Sequence, residues 1–278
     1  MRHICGISGG KDSSALAVYL RDRVPDLEYF FCDTGAELPE TYEFLNRLEV
    51  ALGKPIARIN ASRGFEHWFE VYRGTLPSPQ MRWCTRQMKI KPMEEWIGEE
   101  PTTSYVAIRA DEANRKGYVS TKPNITAVFP FVEDGIDHDS VMKILTDAGI
   151  GLPEYYEWRT RSGCYFCFYQ RKAEWVGLAD RHPDLFERAV AIEQKMLSNA
   201  DGGRDADFRD VAMQGRAYTW SQGESLPELI SRRDDIMAKH EQSMARAARS
   251  RKNLPLVEVL SNALDEDDDS MACTVCAL

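Results

Sequence analysis

Long hydrophobic runs are missing from this sequence. No eighteen consecutive apolar residues occur among its 278, which argues against a membrane-spanning helix. No charged-then-apolar leader is present either, since the first apolar run breaks at Ser8, so a soluble, cytoplasmic protein without a secretion signal is expected. Internal repeats and long low-complexity tracts are absent, and the length suits one large domain or one domain with an appended lobe. Positive charge is in deficit: 35 Lys and Arg stand against 44 Asp and Glu, a formal net charge of -9. Five of the acids form the run Asp265-Glu266-Asp267-Asp268-Asp269, and setting them aside leaves only -4. So mild a balance neither announces nucleic-acid binding nor excludes it, because local clustering of Lys and Arg decides. Two common phosphate loops are missing too. The G-x-x-x-x-G-K-S/T pattern fails at Cys5 and at Asp12, and no G-x-G-x-x-G follows a strand.

What is present instead is Ser8-Gly9-Gly10-Lys11-Asp12-Ser13-Ser14, between the apolar run Ile4-Cys5-Gly6-Ile7 and the helical stretch Ala15 to Leu20. Two adjacent glycines leave backbone amides unobstructed, and a helix opening directly after them adds the positive end of its dipole. The turn is therefore suited to hold a phosphate group.

Further strands are predicted at Leu27 to Cys32, Pro55 to Asn60, Ser104 to Ile108 and Ile125 to Phe129. Helical patterns lie between them, at Pro39 to Leu52 with its early proline and at Phe65 to Tyr72. Alternation of this kind implies βαβ units and a parallel sheet, with ligands at the carboxyl ends of the strands. Asp33, at the end of the second strand, meets a ribose or a water-held Mg2+, or else serves as a helix N-cap. Arg109 and Arg115, after the fourth strand, suit bidentate contact with phosphate or sulfate; a surface ion-pair cluster with Asp111 and Glu112 is the alternative. Beyond residue 135 the pattern turns mostly helical, with helices at Asp139 to Ala148, Lys172 to about Asn199 with a break at His182-Pro183-Asp184, and Pro227 to Met244. Pro77-Ser78-Pro79 reads as an exposed loop.

Seven cysteines in an intracellular chain point to thiols, metal ligands or catalysis rather than a disulfide framework. Cys84 lies among Arg73, Arg82, Arg86, Lys89 and Lys91, surroundings that favour thiolate. Cys164-Tyr165-Phe166-Cys167 is a zinc, iron-sulfur or redox element. It does not follow the first strand as a thioredoxin motif would. Arg246, Arg249, Arg251 and Lys252 either track a phosphate backbone or form a solvated helix face. Cys273 and Cys276 close the chain behind the acidic run as a mobile thiol pair or an inert tail. The expected division is a nucleotide-binding domain over 1–135, a helical cysteine-containing region over 136–252 and an acidic tail over 253–278.

Ser-Gly-Gly-Lys-Asp-Ser resembles the PP-loop of the ATP pyrophosphatases and of the PAPS reductase superfamily. Cys84 with Lys89-Ile90-Lys91-Pro92, Arg109-Ala110-Asp111-Glu112 and Cys164-Tyr165-Phe166-Cys167 follow in that superfamily's order, over roughly residues 3 to 230. Arg82-Trp83-Cys84-Thr85-Arg86 and Gly163-Cys164 look closer to the DndC and SspD type of DNA phosphorothioation protein than to the assimilatory reductases. Cluster-bearing reductases have adjacent cysteines where this chain has Trp83-Cys84-Thr85, and they end in Glu-Cys-Gly rather than Cys273-Thr274-Val275-Cys276.

The resemblance implies a Rossmann-like sheet of the HUP type and an ATP pyrophosphatase using Mg2+ that adenylates a nucleic acid, DNA before tRNA, for sulfur insertion. Ser8, Gly9, Gly10 and Ser13 then hold pyrophosphate, Lys11 neutralises it, and Asp12 orients metal or water; Asp33, Arg109 and Arg115 complete nucleotide binding. Lys11, Asp12 and Cys84 are the catalytic set. Cys84, Cys164 and Cys167 ligate a 4Fe-4S cluster, spacing alone also allowing Zn2+, and a cysteine desulfurase supplies the sulfur. The runners-up are a reductase of PAPS or adenylyl sulfate that releases sulfite, and a non-catalytic nucleotide-binding zinc subunit; a homo-oligomer is compatible with all three.

Overall fold

The computed structural model describes residues 1–112, 120–201, 219–221 and 223–250. Arg115, Arg251, Lys252, the acidic run and the tail thiols Cys273 and Cys276 lie outside them. Two compact units divide the described residues, one of Met1–Val71 with Gln80–Cys164, the other of Tyr72–Pro79 with the described residues between 165 and 250.

The first unit is organised by five parallel strands: β1 (Arg2–Gly6), β2 (Leu27–Asp33), β3 (Ile56–Asn60), β4 (Thr102–Tyr105) and β5 (Ile125–Val128), in the order β3-β2-β1-β4-β5. It is the Rossmann-like sheet the sequence predicts. Successive side chains on a strand point to opposite faces, so the pairs Ile4-Cys5 on β1 and Phe30-Phe31 on β2 each feed two cores. Cys5 and Phe31 pack with Leu16 and Leu20 of helix α1 (Lys11–Arg21) and with Phe44 and Leu48 of α2 (Pro39–Leu52). Ile4 and Phe30 pack on the other face with Ile59, Met93 and Ile97. α2 begins with Pro39 in its first turn and ends at Gly53 in the left-handed region, φ 63.

This strand order creates the site. From β1 the chain builds outward through β2 and β3, then returns to add β4 and β5 on β1's other side. The turns leaving β1 and β4 therefore emerge side by side at the carboxyl edge, where parallel sheets bind ligands. β4 starts at Thr102 rather than at Ser104, because the Thr102 amide donates to the Asn124 carbonyl at 2.7 Å and the strand pairs with β5 from Ile125.

The first unit also continues past residue 135. Helix His138–Asp147, capped by Asp137, whose carboxylate accepts from the Ser140 amide at 2.9 Å, buries Val141 and Leu145 in the core shared with α1. The second unit is helical, with helices Lys172–Arg181, Pro183–Asp201, Leu226–Ser231 and Arg233–Ser250. The single long helix expected from Pro227 is thus two. A Ser225/Glu228 capping box opens the first, and Arg232 leaves helical geometry to grip Glu224 with two bonds of 2.8 and 2.9 Å. Leu76 and Pro77 are buried, so the loop expected to be exposed there is part of a core. No helix among the described residues is long and apolar enough to cross a membrane.

Candidate functional site

β1 ends at Gly6 and α1 begins at Lys11, so Ile7, Ser8, Gly9 and Gly10 make the whole connection. Gly9 has φ +75, and a Cβ there would lie 2.7 Å from the Cγ2 of Thr41 on α2. A Cβ on Gly10 would lie 2.7 Å from the Ser162 hydroxyl. Both glycines are therefore required by the packing as well as by the turn. Ser8 ties the loop together: its amide donates to the Ser13 hydroxyl at 3.1 Å, while its own hydroxyl lies 3.1 Å from that hydroxyl and accepts from the Gly10 amide at 3.4 Å. Ser13 closes the ring by donating to the Gly10 carbonyl at 3.2 Å. Gly10 supplies no capping side chain to α1, which leaves the helix's positive end to be satisfied from elsewhere.

That help comes from a segment about 150 residues further along the chain. Tyr155 donates its hydroxyl to the Gly9 carbonyl at 2.7 Å, the Lys11 amide donates to the Tyr156 hydroxyl at 3.0 Å, and Ser162 donates to Ser8 at 3.1 Å. Burial holds both tyrosine hydroxyls above their usual pKa, so they remain protonated. Arg159 is 2 % exposed and donates to the carbonyls of Gly163 and Cys164, each at 2.9 Å. The stretch from Tyr155 to Cys164 is thus a strap along the loop. Sequence reading passed over Tyr155, Tyr156, Arg159 and Ser162; the signal was the tyrosine pair within eight residues of a Ser-Gly-Cys turn.

Arg109 reaches the loop through Asp12. Its guanidinium donates to Asp12 at 3.0 Å, to Asp111 at 2.9 Å and to Glu112 at 2.9 Å. Burial by itself would lower its pKa, but the hydrogen bonds and charges of these three carboxylates overrule it and hold the value well above the ordinary one. Arg109 thereby orients Asp12, whose other oxygen lies 3.6 Å from the Lys11 ammonium. Asp33 is committed to a turn, accepting from the Gly35 amide and the Tyr42 hydroxyl, both at 2.8 Å, and the cap position of α2 belongs to Leu38. Arg115 is outside the described residues.

The five described cysteines carry reduced thiols. Cys84 is half-buried in the helical turn Trp83–Thr85, which runs into a π-helix over Arg86–Ile90. There the Lys91 amide donates to the Arg86 carbonyl, five residues back. Such wide turns recur at functional sites. Of the basic residues around Cys84, Arg86 and Lys91 are exposed, and the Lys91 ammonium stands 5.7 Å from the Trp68 ring. Cys164 contacts the Thr34 hydroxyl at 3.2 Å and donates to Glu37 at 3.6 Å. Cys167 belongs to the second unit, where its carbonyl accepts from the Gln170 amide at 2.9 Å. Among the described residues no group of three or more His, Cys, Asp or Glu side chains is gathered to hold a metal ion.

Burial pushes the thiols of Cys5 and Cys32 up to about 12. Alkylation of the native protein near about pH 8 should therefore leave both unmodified while the half-buried Cys84, Cys164 and Cys167 react first, since thiolate is the attacking form. Peptide mass mapping over time checks this; early modification of Cys5 would mean that the sheet opens around β1.

The model of the phosphoadenosine phosphosulfate reductase domain family matches residues 2–167, from β1 through the second cysteine of the C-x-x-C loop. An uncharacterized protein of Methanocaldococcus jannaschii is 25 % identical over 212 residues, covering 70 % of this chain and 48 % of that protein. The matched region thus spans about half of that relative's length. The tRNA-specific 2-thiouridylase MnmA of Haemophilus influenzae is 29 % identical over 118 residues, 37 % of this chain and 30 % of the enzyme. Among solved structures, a phosphoadenylyl-sulfate reductase from Candida auris superposes with a TM-score of 0.48 at 14 % identity, covering 59 % of this chain and 81 % of that one.

Proposed function

The chain belongs to the phosphoadenosine phosphosulfate reductase domain family, and on that premise we propose that it is an enzyme of sulfur transfer to nucleic acid that works by splitting ATP to AMP and pyrophosphate. The observation that carries this reading is the Ser8–Ser13 loop: two glycines with no room for a Cβ and the hydroxyls of Ser8 and Ser13, at the start of α1 on the carboxyl edge of β1. ATP entering as its magnesium complex lays its β- and γ-phosphates on this loop. Ser8, Gly9, Gly10 and Ser13 hold them, the Lys11 ammonium offsets the charge that develops on the leaving pyrophosphate, and Asp12, fixed by Arg109, orients metal-bound or free water. An oxygen of the substrate attacks the α-phosphorus, the bond to pyrophosphate breaks, and the resulting adenylate makes that oxygen a good leaving group. Sulfide, released from the persulfide of a cysteine desulfurase partner by a thiol reductant that becomes a disulfide, then attacks the activated atom and displaces AMP.

We place DNA first as the acceptor, on the likeness of the segments around Cys84 and Cys164 to phosphorothioation proteins. The likeness to a tRNA thiouridylase makes tRNA the second. For a metal centre the donor chemistry of Cys84, Cys164 and Cys167 fits iron-sulfur or zinc, and these are the residues that would hold it. A reductase of phosphoadenylyl sulfate is the second reading, favoured by the family match itself.

Protein purified without oxygen and given ATP, Mg2+ and DNA or tRNA should release pyrophosphate in proportion to the nucleic acid added. Sulfite release from phosphoadenylyl sulfate with a thiol reductant, and no pyrophosphate with either nucleic acid, would replace the first reading by the second.

A further inference from the structure

The first amide of α1, that of Lys11, lies where an anion is most favoured, and Gly10 leaves it uncapped. Its acceptor is the Tyr156 hydroxyl at 3.0 Å, delivered from 145 residues away, with the Tyr156 ring 5.7 Å from the Lys11 ammonium. The placement is not incidental. The neighbouring Tyr155 is fully buried and bonded to Gly9, the two rings stack with centroids 5.0 Å apart, and Ser162 fixes the far end of the strap on Ser8. A neutral phenol oxygen thus occupies the position a phosphoryl oxygen would take.

Resting on the reading of this loop as a phosphate site, we propose that Tyr156 is a placeholder, a positioning residue that caps α1 while the loop is empty and is displaced by the incoming phosphate. A hydrogen bond from an amide to an anionic oxygen is about twice as strong as one to a neutral oxygen, so the exchange runs towards the ligand. The bond to Tyr156 must nevertheless be broken first, and it weakens binding by its own net strength. Tyr155 has the opposite role, since its bond to the Gly9 carbonyl keeps the loop amides aimed and is not contested by an anion.

Titration of the full chain with inorganic pyrophosphate in a calorimeter separates the two. Tyr156→Phe is expected to bind about threefold to tenfold more tightly than the natural protein, the factor that corresponds to one neutral hydrogen bond. Tyr155→Phe is expected to bind more weakly. An ultraviolet difference signal from a tyrosine leaving its hydrogen bond should accompany pyrophosphate binding and vanish in Tyr156→Phe. A merely structural role for Tyr156 would loosen binding on substitution, not tighten it. Unchanged or weaker binding by Tyr156→Phe, or binding by the natural protein without the tyrosine signal, overturns the placeholder and leaves the phosphate site standing. If neither protein binds pyrophosphate or ATP, the phosphate-site reading falls and the placeholder with it.

Discussion

Gly9→Ala should be the most damaging single-methyl change in the first unit, lowering both stability and the affinity for ATP or pyrophosphate. Two independent terms add. Holding a non-glycine residue at φ +75 costs about 1–2 kcal/mol. Forcing the new methyl to within 2.7 Å of Thr41 Cγ2 adds about 1–3 kcal/mol of overpacking, because Thr41 is fully buried and its branched side chain has little freedom at χ1. The loop can relieve the clash only by moving away from α2, which carries the amides out of line with the phosphates; misplacement on the order of 1 Å is enough for tenfold or larger losses. Gly10→Ala meets only the second problem, since its φ of -93 suits any residue, and the obstacle is the Ser162 hydroxyl. Its defect should therefore be largely relieved by adding Ser162→Gly, whereas no such partner rescues Gly9→Ala. Thermal melts and pyrophosphate titrations of the three variants test this. A Gly9→Ala protein with natural stability and affinity would show that the loop does not need the left-handed turn.

The contrast between these glycines and their partners explains how much was legible beforehand. The loop, the strand order's consequence and most elements follow from local signals: a glycine pair between an apolar run and a helix, Pro39 at the head of α2, near-continuous apolar strands. What a linear reading cannot supply is which distant side chain satisfies a given backbone group. Tyr156 serves the Lys11 amide and Tyr155 the Gly9 carbonyl across 145 and 146 residues. Arg109 shows the same limit from the other side. Asp111 and Glu112 are its sequence neighbours, so an ion-pair cluster was readable; Asp12, 97 residues earlier, turns that cluster into a clamp on the phosphate loop itself. The break at Arg232 escaped for a related reason: its cause is a grip on Glu224, not a helix-breaking residue type.

The second unit offers the other large effect. Glu193, fully buried within the helix Pro183–Asp201, accepts from the Trp220 amide at 3.0 Å and from the Leu226 amide at 2.8 Å, and so orders the turn that leads into the helix Leu226–Ser231. Nothing in its sequence context sets it apart from the exposed acids around it. Glu193→Ala strips the acceptors from two buried donors, each worth about 1–3 kcal/mol when left unsatisfied, so a loss on the order of 2–5 kcal/mol is expected. Hydrogen exchange at the Trp220 and Leu226 amides should accelerate most. The dependence on pH has a definite sign. Burial raises the pKa of this carboxyl, against the two amides that lower it, so the folded unit holds the proton more tightly than the unfolded chain does. The stability contributed by this group is therefore full below the ordinary glutamate range and is lost as the pH rises through the raised value. Asp111 and Glu224, whose pKa values are lowered in the fold, slope the other way, which is why the comparison must be with Glu193→Gln. That variant keeps one acceptor oxygen and cannot ionise, and it should gain on the natural protein as the pH is raised from acid towards neutral. A constant difference between the two across that range would mean that the carboxyl has the same pKa folded and unfolded, and a natural protein that gains on Glu193→Gln as the pH rises would mean that the two amides, rather than burial, decide its state.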